Sequence, residues 1–473
     1  MPPPASPVVR ETIRRTNRSA DDLARRLGIG RRQFLQSLCG SALTLLTLNA
    51  CSSEARQAAG PGTTSLASTT PGGTFALPAT STTEAPVAST ILDGDEFVMD
   101  VQAHLLEYDL VPDATWDGSP FLGLQFPQQN CGEADPRACF SIEQFLDLYF
   151  LQSDTSIAVL SAIPVISDDN PLSPEVMATT RAIAEELCGT GRVLAQGQAM
   201  PNWGEPAAAL EAMSVLAGTY DLGAWKVYTH LPTGFRLDDG DPDAPAIGQA
   251  FIDHVRETGP PIICVHKGFS GFGGDGTVYA DPADIGPAAA RNPDVDFVVY
   301  HSGFESSVPE GPYDPDGRGG DRLIRSATDA GVGPGQNVWA ELGSTWRFVM
   351  SNPDQAAHVL GKLLVAFGPD NVVWGTDSIW YGSPQDQIQA FRAFQITEAF
   401  QELHGYPALT DEIKAKILGL NSARLYGVDP VHQPCVFDRD ALREIRAQSS
   451  LVPASYGPHT AQDALAVIRD HIV

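Results

Sequence analysis

The sequence has little positive charge and very few lysines. Its 473 residues include 30 Lys and Arg against 58 Asp and Glu, which gives a formal net charge of −28. The lysines number five, at positions 226, 267, 362, 414 and 416. Because nucleic-acid binding depends on clustered basic residues that neutralise phosphates, this balance excludes nucleic acid as a partner. Hydrophobic residues make up 43% of the chain, which is enough for a large core and excludes wholesale disorder.

The seven cysteines form neither a Cys-x-x-Cys pair nor the Cys/His spacing of a zinc ribbon. Cys131 and Cys139 lie eight residues apart in a stretch that contains proline, glycine and aspartate. Outside the cytoplasm this spacing permits a short disulfide, and the alternative is two free thiols.

The first 50 residues differ from the rest in charge, with eight arginines against three acidic residues. Arg31 and Arg32 precede a short apolar run over 41–48, a pattern that resembles a twin-arginine export signal. The sequence Leu-Asn-Ala-Cys that ends at Cys51 resembles a lipoprotein cleavage box. We therefore expect residues 1–50 to be an export signal and the protein to be periplasmic or at the cell surface, with a lipid anchor at Cys51 as its only membrane contact. The alternative is an amphipathic N-terminal helix with a chance cysteine.

Residues 51–92 are rich in Ser, Thr, Ala, Pro and Gly and contain almost no aromatic residue. Such a composition buries too little apolar surface to order itself, so it predicts a disordered tether. The tether would join the signal to a globular body that begins near residue 93.

Eight short apolar runs, rich in β-branched residues, predict strands at 97–101, 156–161, 192–197, 224–228, 261–265, 296–300, 337–341 and 371–374. Helical patterns lie between them, among them 173–187, 244–257, 319–330, 353–367 and 384–401. Alternating strands and helices with nearly continuous apolar strands predict an α/β protein with a (β/α)8 TIM barrel over residues 93–427. A doubly wound sheet is the alternative, but no glycine-rich fingerprint follows the first strand. Residues 428–473 are expected to form a C-terminal helical extension.

Polar residues follow several of the predicted strands at their carboxyl ends. His104, His230, His266, His301 and Asp377 follow the first, fourth, fifth, sixth and eighth strands. In a parallel barrel these ends meet at one rim, which is where such barrels carry their active sites. Imidazole and carboxylate groups that converge there suit a catalytic metal ion.

The motifs at these strand ends resemble those of the amidohydrolase superfamily. They are Asp100-Val-Gln-Ala-His104, Val265-His266-Lys267-Gly268, Tyr300-His301-Ser302-Gly303 and Gly375-Thr376-Asp377. The resemblance spans about residues 95–427 and is greatest to the amidohydrolase-related branch that contains aminocarboxymuconate-semialdehyde decarboxylase and 2-pyrone-dicarboxylate lactonase. Single motifs are weak evidence, but their order and their positions on the strands are specific.

The resemblance implies that His104, His266 and Asp377 bind one divalent metal ion, zinc or manganese. It further implies that His301 acts as an acid/base group and that Asp377 accepts a proton from metal-bound water. Gln102 departs from the family pattern, which has His or Glu at that position. An amide oxygen is a weaker, neutral ligand, so the site either keeps Gln102 as a ligand, shifts its metal preference, or has lost the metal.

Three further residues are expected to contact substrate: Lys226, His230 and Trp380. Lys226 has three interpretations, namely a carboxylated metal bridge, a group that binds a substrate carboxylate, and a member of a buried ion pair. The loop after the first strand, 105–139, is long and carries aromatic residues, which predicts a pocket wall or lid. Barrels of this kind are often homodimers, and no sequence feature identifies an interface.

These features favour a metal-dependent hydrolase that acts on an ester, lactone or amide of a small carboxylate-bearing molecule through metal-activated water. The first alternative is a non-oxidative decarboxylase of an aromatic or unsaturated acid, which the same branch contains. The second is a non-catalytic, lipid-tethered binding protein that no longer binds the metal ion because Gln102 is a weak ligand.

Overall fold

The computed structural model describes residues 5–59, 70–108, 124–165, 170–189, 191–231, 233–240, 246–272 and 274–431. The strands in this part of the chain, numbered β1 to β10, are Gly73–Phe75, Met99–Ala103, Ile157–Leu160, Val193–Ala199, Ala224–Val227, Ile262–His266, Asp296–Tyr300, Val338–Glu341, Val372–Val373 and Phe394–Ile396. The α-helices are Pro7–Leu27, Arg31–Leu35, Leu38–Ala59, Ala85–Leu92, Ile142–Leu146, Pro174–Cys188, Pro206–Thr219, Gly248–Thr258, Ile285–Arg291, Gly320–Asp329, Thr345–Val349, Pro353–Phe367, Gln385–Ala393, Glu398–His404, Asp411–Ala415 and Asn421–Tyr426. Shorter 3-10 or π-helical segments are Ala79–Thr82, Pro127–Asn130, Pro136–Phe140, Asp147–Leu151, Ser270–Phe272, Gly274–Ala280, Pro282–Asp284, His301–Gly303 and Lys416–Leu420.

Strands β2 to β9 form one parallel sheet in chain order, and this sheet closes into a barrel in which β2 lies beside β9. Its first and last strands approach through a parallel bridge between Ala103 and Ser378 and through the hydrogen bond from Val101 N to Trp374 O, 3.0 Å long. The prediction of a (β/α)8 barrel is therefore confirmed. All eight predicted barrel strands are present.

The barrel strands alternate between two apolar environments. In β6, Ile263 and Val265 pack against the surrounding helices, whereas Ile262 and Cys264 belong to the cluster inside the barrel. A strand that is buried on both faces can carry apolar residues at every position, which is why these segments read as continuous apolar runs. The same burial makes any polar side chain inside the barrel conspicuous.

The predicted helices between the strands are confirmed with one exception. We predicted a single helix over 384–401, but the structure has a helix at Gln385–Ala393, then β10, then a helix at Glu398–His404. Strand β10 pairs antiparallel with β1, and the rings of Phe75 and Phe394 pack edge to face at 5.6 Å. Pairing with a distant segment overrides the local helical pattern.

The prediction of a disordered tether over 51–92 is wrong for the residues that the structure describes there. Residues 51–59 continue the helix Leu38–Ala59, and residues 73–92 form β1 and the helix Ala85–Leu92. Phe75, Leu77 and Leu92 are buried, so a few apolar residues anchor a stretch whose average composition is that of a linker. Residues 60–69 lie outside the described part of the chain.

The N-terminal helices pack onto the body of the protein. Asn49 makes two hydrogen bonds to the backbone of Phe75, 2.8 and 3.0 Å long, and Arg56 pairs with Asp354 at 3.0 Å. Cys51 lies within the helix Leu38–Ala59 and is 4% exposed. None of the described helices combines the length and the apolar character that a membrane span requires. Export and lipidation remain predictions.

The loop after β2 carries a disulfide between Cys131 and Cys139, which decides between the two alternatives that the sequence left open. Residues 109–123 of that loop lie outside the described residues. Residues 432–473 also lie outside the described residues, so the C-terminal helical extension stays a prediction. Residues 428–431, which are described, are not helical.

Candidate active site

The barrel brings the predicted site residues together at the carboxyl ends of its strands. His104 Nε2 lies 3.0 Å from Asp377 Oδ1, and His266 Nδ1 lies 3.2 Å from His301 Nε2. The His230 ring stands beside that of His266, with ring centres 4.6 Å apart. These residues follow five different strands, so their meeting is a consequence of the barrel topology.

Donors surround the carboxylate of Asp377. Its Oδ1 accepts hydrogen bonds from Gln102 Nε2 at 3.1 Å and from Trp380 Nε1 at 3.2 Å, and its Oδ2 accepts one from the Ser344 hydroxyl. Burial by itself would raise the pKa of Asp377, but the hydrogen bond from His104 and the nearby imidazoles lower it below its ordinary value. Asp377 is therefore ionised at neutral pH.

The backbone at this rim is strained. Five non-glycine residues after β6 to β9 have left-handed φ angles: Phe269 (42°), His301 (66°), Ser302 (50°), Ser344 (53°) and Asp377 (56°). Such conformations each cost about 1–3 kcal/mol and cluster where function requires a fixed side-chain direction. Their concentration at one rim supports this rim as the functional site.

The hydrogen bonds assign the tautomers of the paired histidines. His301 Nδ1 lies 2.8 Å from the carbonyl oxygen of Gly343, so Nδ1 carries the proton and Nε2 the lone pair. His266 Nδ1 then donates to His301 Nε2, which leaves the lone pair of His266 on Nε2. That atom is buried and has no hydrogen-bond partner. Of the two rings, His266 thus has the unengaged lone pair among the described residues, whereas the His301 lone pair accepts the His266 Nδ1–H.

Three histidines at the rim, His230, His266 and His301, are neutral at physiological pH. Burial lowers the pKa of His301 to about 4 and that of His230 to about 3, and it lowers the pKa of His266 well below its ordinary value. Neutral imidazoles can accept protons or bind a metal ion, which protonated ones cannot.

Glu341 is a site residue that the sequence interpretation missed. It is the last residue of β8, and its carboxylate is fully buried between the ends of β7 and β9. Burial raises its pKa to about 8. An added side chain at Gly375 would collide with the Glu341 carboxylate, which explains the glycine in the motif before Asp377. The rule that identified the histidines, a polar residue at a strand's carboxyl end, applies equally to Glu341.

The two lysines near the rim have different environments. Lys267 is buried in an ion pair with Asp284 at 2.8 Å, so its amine already has a partner inside the protein. Lys226 is fully buried, and its amine lies 3.7 Å from the centre of the Tyr300 ring and 4.8 Å from that of Tyr228. Lys226 Nζ has no hydrogen-bond partner and no ion pair among the described residues, which removes the buried-ion-pair interpretation.

The other expected substrate contacts lie in the same region. His230 is 1% exposed and its Nδ1 has no hydrogen-bond partner. Trp380 stacks on His104, with ring centres 5.3 Å apart, and on Phe126 at 5.1 Å. The Trp380 indole therefore forms an aromatic surface beside the site and also holds the His104 ring in its orientation.

The donor chemistry at the rim fits a divalent metal ion. Within the described part of the chain, three buried atoms of the proposed ligands have no hydrogen-bond partner: Gln102 Oε1, His104 Nδ1 and His266 Nε2. Together with the ionised Asp377 they are oxygen and nitrogen donors of the kinds that zinc and manganese take. Within the described residues, no three His, Cys, Asp or Glu side chains are already arranged as a metal site, since His104 pairs with Asp377 and His266 pairs with His301.

Comparison with known proteins gives a family match. The family model described as Amidohydrolase matches residues 99–428. No curated protein sequence matches the chain.

Several solved structures have similar folds at low identity. The 5-carboxyvanillate decarboxylase of Sphingomonas paucimobilis is 13% identical, with 70% of this chain and 99% of that chain covered and a TM-score of 0.41. A protein of Pseudomonas putida assigned by inference as a 2-pyrone-4,6-dicarboxylic acid hydrolase is 14% identical (70% and 97% covered, TM-score 0.39). The 5-carboxyvanillate decarboxylase of Novosphingobium aromaticivorans, solved with manganese and 4-hydroxy-3-methoxy-5-nitrobenzoic acid, is 11% identical (70% and 96% covered, TM-score 0.40). At these identities and TM-scores the three structures indicate neither the substrate nor the metal of this chain.

Proposed function

Because the chain belongs to the amidohydrolase family, we propose that it is an enzyme that hydrolyses an ester, lactone or amide bond of a small carboxylate-bearing molecule at the carboxyl rim of its barrel. The observation that carries this proposal is the presence at one rim of an ionised Asp377, paired with His104, and of the neutral pair His266–His301. Asp377, His266 and His301 are all unprotonated at neutral pH, the state in which they can bind a metal ion or take up a proton during the reaction. Hydrolysis needs acceptors of this kind to deprotonate water.

Four residues would hold the metal ion in this proposal: His104, His266 and Asp377, with the free Gln102 carbonyl oxygen as a fourth, weaker donor. A divalent ion bound there supplies a Lewis acid and lowers the pKa of water toward neutrality. Zinc and manganese both suit this mixture of imidazole nitrogen and oxygen donors.

The protein's own groups account for proton transfer and orientation. Asp377, held by Gln102, Trp380 and Ser344, keeps its charge and can take a proton from water. His301 presents the Nε2 lone pair because its Nδ1–H is bound to the Gly343 carbonyl. In this state His301 must take up a proton at Nε2, for example from water, before it can donate one to a leaving group. A decarboxylase would instead need a proton donor for a carbon atom at the start of the reaction.

Substrate binding is assigned to Lys226, His230 and Trp380. The Lys226 amine and His230 Nδ1 are polar atoms without partners, so each gains a hydrogen bond when a carboxylate or carbonyl oxygen reaches it. The indole of Trp380 and the neighbouring ring of Phe126 provide an apolar wall for a flat molecule.

The test begins with metal analysis of the purified full-length chain, followed by assays with zinc or manganese against small lactones, esters and amides of aromatic acids. Reactions run in ¹⁸O-labelled water are expected to place one labelled oxygen in the product. Release of carbon dioxide without incorporation of label would instead establish the decarboxylase. Absence of both stoichiometric metal and activity would leave the binding-protein alternative.

Variants at the rim tie the activity to this site. His301→Gln and Asp377→Asn are each expected to lower kcat by about 100-fold or more. His254→Gln is the matched control, because His254 bonds only to Ser214 Oγ and Glu257 on the outer helices. Equal activity in all three variants would refute the assignment of the site.

A further inference from the structure

Glu341 binds two backbone N–H groups, that of His301 itself and that of Gly343, the residue whose carbonyl bonds the His301 ring. Its Oε2 accepts a hydrogen bond from the backbone N–H of His301 at 2.8 Å, and its Oε1 accepts one from the backbone N–H of Gly343 at 2.5 Å. Gly343 in turn uses its carbonyl oxygen to accept the Nδ1–H of His301. The three hydrogen bonds form a closed circuit through Glu341, Gly343 and His301.

The circuit spans two strands that are separate in sequence. Glu341 ends β8, whereas His301 follows β7 directly and has a left-handed backbone. The carboxylate therefore holds the strained turn at His301 and the position of the Gly343 carbonyl at once. Thr345 Oγ1 supports the same turn through a 2.9 Å hydrogen bond to the His301 carbonyl.

We propose that Glu341 is a positioning residue that fixes His301 in its Nδ1–H tautomer and so keeps Nε2 as the acceptor that faces His266. Each of the two oxygens of the Glu341 side chain accepts one of the two backbone N–H groups. A glutamine of the same size can accept one of them and presents an NH₂ group to the other. The tautomer of a functional histidine is commonly set by the partner of its other nitrogen, which here is a carbonyl that Glu341 itself holds.

The experiment observes the tautomer directly by ¹⁵N NMR of the full-length chain labelled at its histidine rings. The His301 signals are identified by their loss in His301→Gln. In the unsubstituted protein we expect one protonated nitrogen, Nδ1, and one unprotonated nitrogen, Nε2. In Glu341→Gln we expect the two shifts to move toward each other as both tautomers become populated.

The matched control is Glu305→Gln. Glu305 is also buried, at 9% exposure, but its carboxylate accepts the Ser270 N–H at 3.2 Å and, among the described residues, forms no hydrogen bond with His301. The His301 shifts are expected to stay unchanged in this variant. If Glu341→Gln does not fold, Glu341→Asp replaces it, because the shorter side chain keeps the charge and cannot reach both N–H groups.

Unchanged His301 shifts in a folded Glu341 variant would overturn the proposal. The tautomer measurement needs no substrate, so its result does not depend on whether the proposed hydrolase activity is found. Where that activity is found, Glu341→Gln is expected to lower kcat by about 10- to 100-fold and to change KM by less than about 2-fold. A rise in KM with unchanged kcat would contradict a positioning role.

Discussion

At the scale of the residue, Lys226 has an unusual environment for a lysine. Its amine is fully buried inside the barrel and faces two tyrosine rings, with no carboxylate bound to it. Cation–π contacts compensate only part of the lost hydration. Burial therefore lowers the pKa of Lys226 to about 7. Between this value and the ordinary lysine pKa near 10.5, the unfolded chain binds a proton that the folded chain does not.

This difference predicts a pH-dependent stability. Stability rises with pH wherever the unfolded state binds more protons, so wild-type protein gains up to about 1.4 kcal/mol per pH unit from Lys226 between pH 7 and 10.5. Lys226→Met removes this dependence. We expect Lys226→Met to exceed wild type in free energy of unfolding at pH 6–7, with the gap closing toward pH 10.

Urea denaturation across that pH range measures the effect. Lys416→Met is the control, since Lys416 forms an ion pair with Asp370 at the outer surface. A gap between wild type and Lys226→Met that stays constant with pH would show that the amine is protonated when buried.

Gln102 supports a second prediction at this scale. Its Oε1 is buried without a partner beside Asp377, where the family has a charged or imidazole ligand. Gln102→His would exchange a weak amide ligand for imidazole, and we expect it to tighten zinc binding by at least about 10-fold. Competition with a chelating dye measures the affinity, with Gln385→His as the control. An unchanged zinc affinity would place residue 102 outside the ligand set.

At the scale of the elements, β10 shows how distant pairing overrides local pattern. Residues 384–401 carry a helical sequence pattern, yet the chain extends at Phe394, whose ring packs against Phe75 and Trp346. The extended conformation is stabilised because it buries these aromatic rings and allows β10 to pair with β1. The same pairing orders residues 73–75 and attaches the segment before the barrel to its outside.

Removal of the Phe394 ring is expected to destabilise the folded protein. Phe394 is fully buried, so Phe394→Ala should lower the free energy of unfolding by about 3–5 kcal/mol. Val365→Ala, at a side chain that is 54% exposed, should change it by less than about 0.5 kcal/mol. Urea denaturation followed by circular dichroism compares the two. A small loss for Phe394→Ala would mean that β10 contributes little to the fold.

At the scale of the whole molecule, the N-terminal helices form part of the surface of the folded chain. Asn49, an uncommon residue for a lipoprotein cleavage box, is bonded to both backbone polar groups of Phe75. Cys51 is buried in the same helix. If Cys51 is the site of cleavage and lipidation, the helix Leu38–Ala59 has to leave the body before processing, because a protease needs extended and accessible backbone.

The Asn49 contact predicts a measurable change in hydrogen exchange. Asn49→Ala removes the acceptor of the Phe75 N–H, and a hydrogen bond worth about 1 kcal/mol corresponds to exchange faster by about 5-fold. Mass spectrometry of a peptide that spans Phe75 measures the rate. Gln57→Ala, at an exposed position of the same helix, should leave it unchanged. Equal rates in both variants would show that the helix does not protect β1.

The sequence alone determined the order of the elements and the location of the site along the chain. Strand β6 was predicted at 261–265 and lies at Ile262–His266, because a doubly buried strand has a local signature of consecutive apolar residues. The histidines and Asp377 were found because the carboxyl ends of parallel strands meet at one rim whatever the details of packing. Both inferences use periodicity and position, which are local properties.

Only the tertiary structure decided which groups pair. Lys267 has Asp284 as its partner whereas Lys226 has none, although both follow the same sequence rule. Likewise, Glu341 became part of the site, and residues 70–92 became ordered, through contacts with segments far away in the chain. Hydrogen-bond partners and desolvation depend on atoms that meet only after the barrel closes, and these contacts set both the charge of each group and the direction it faces.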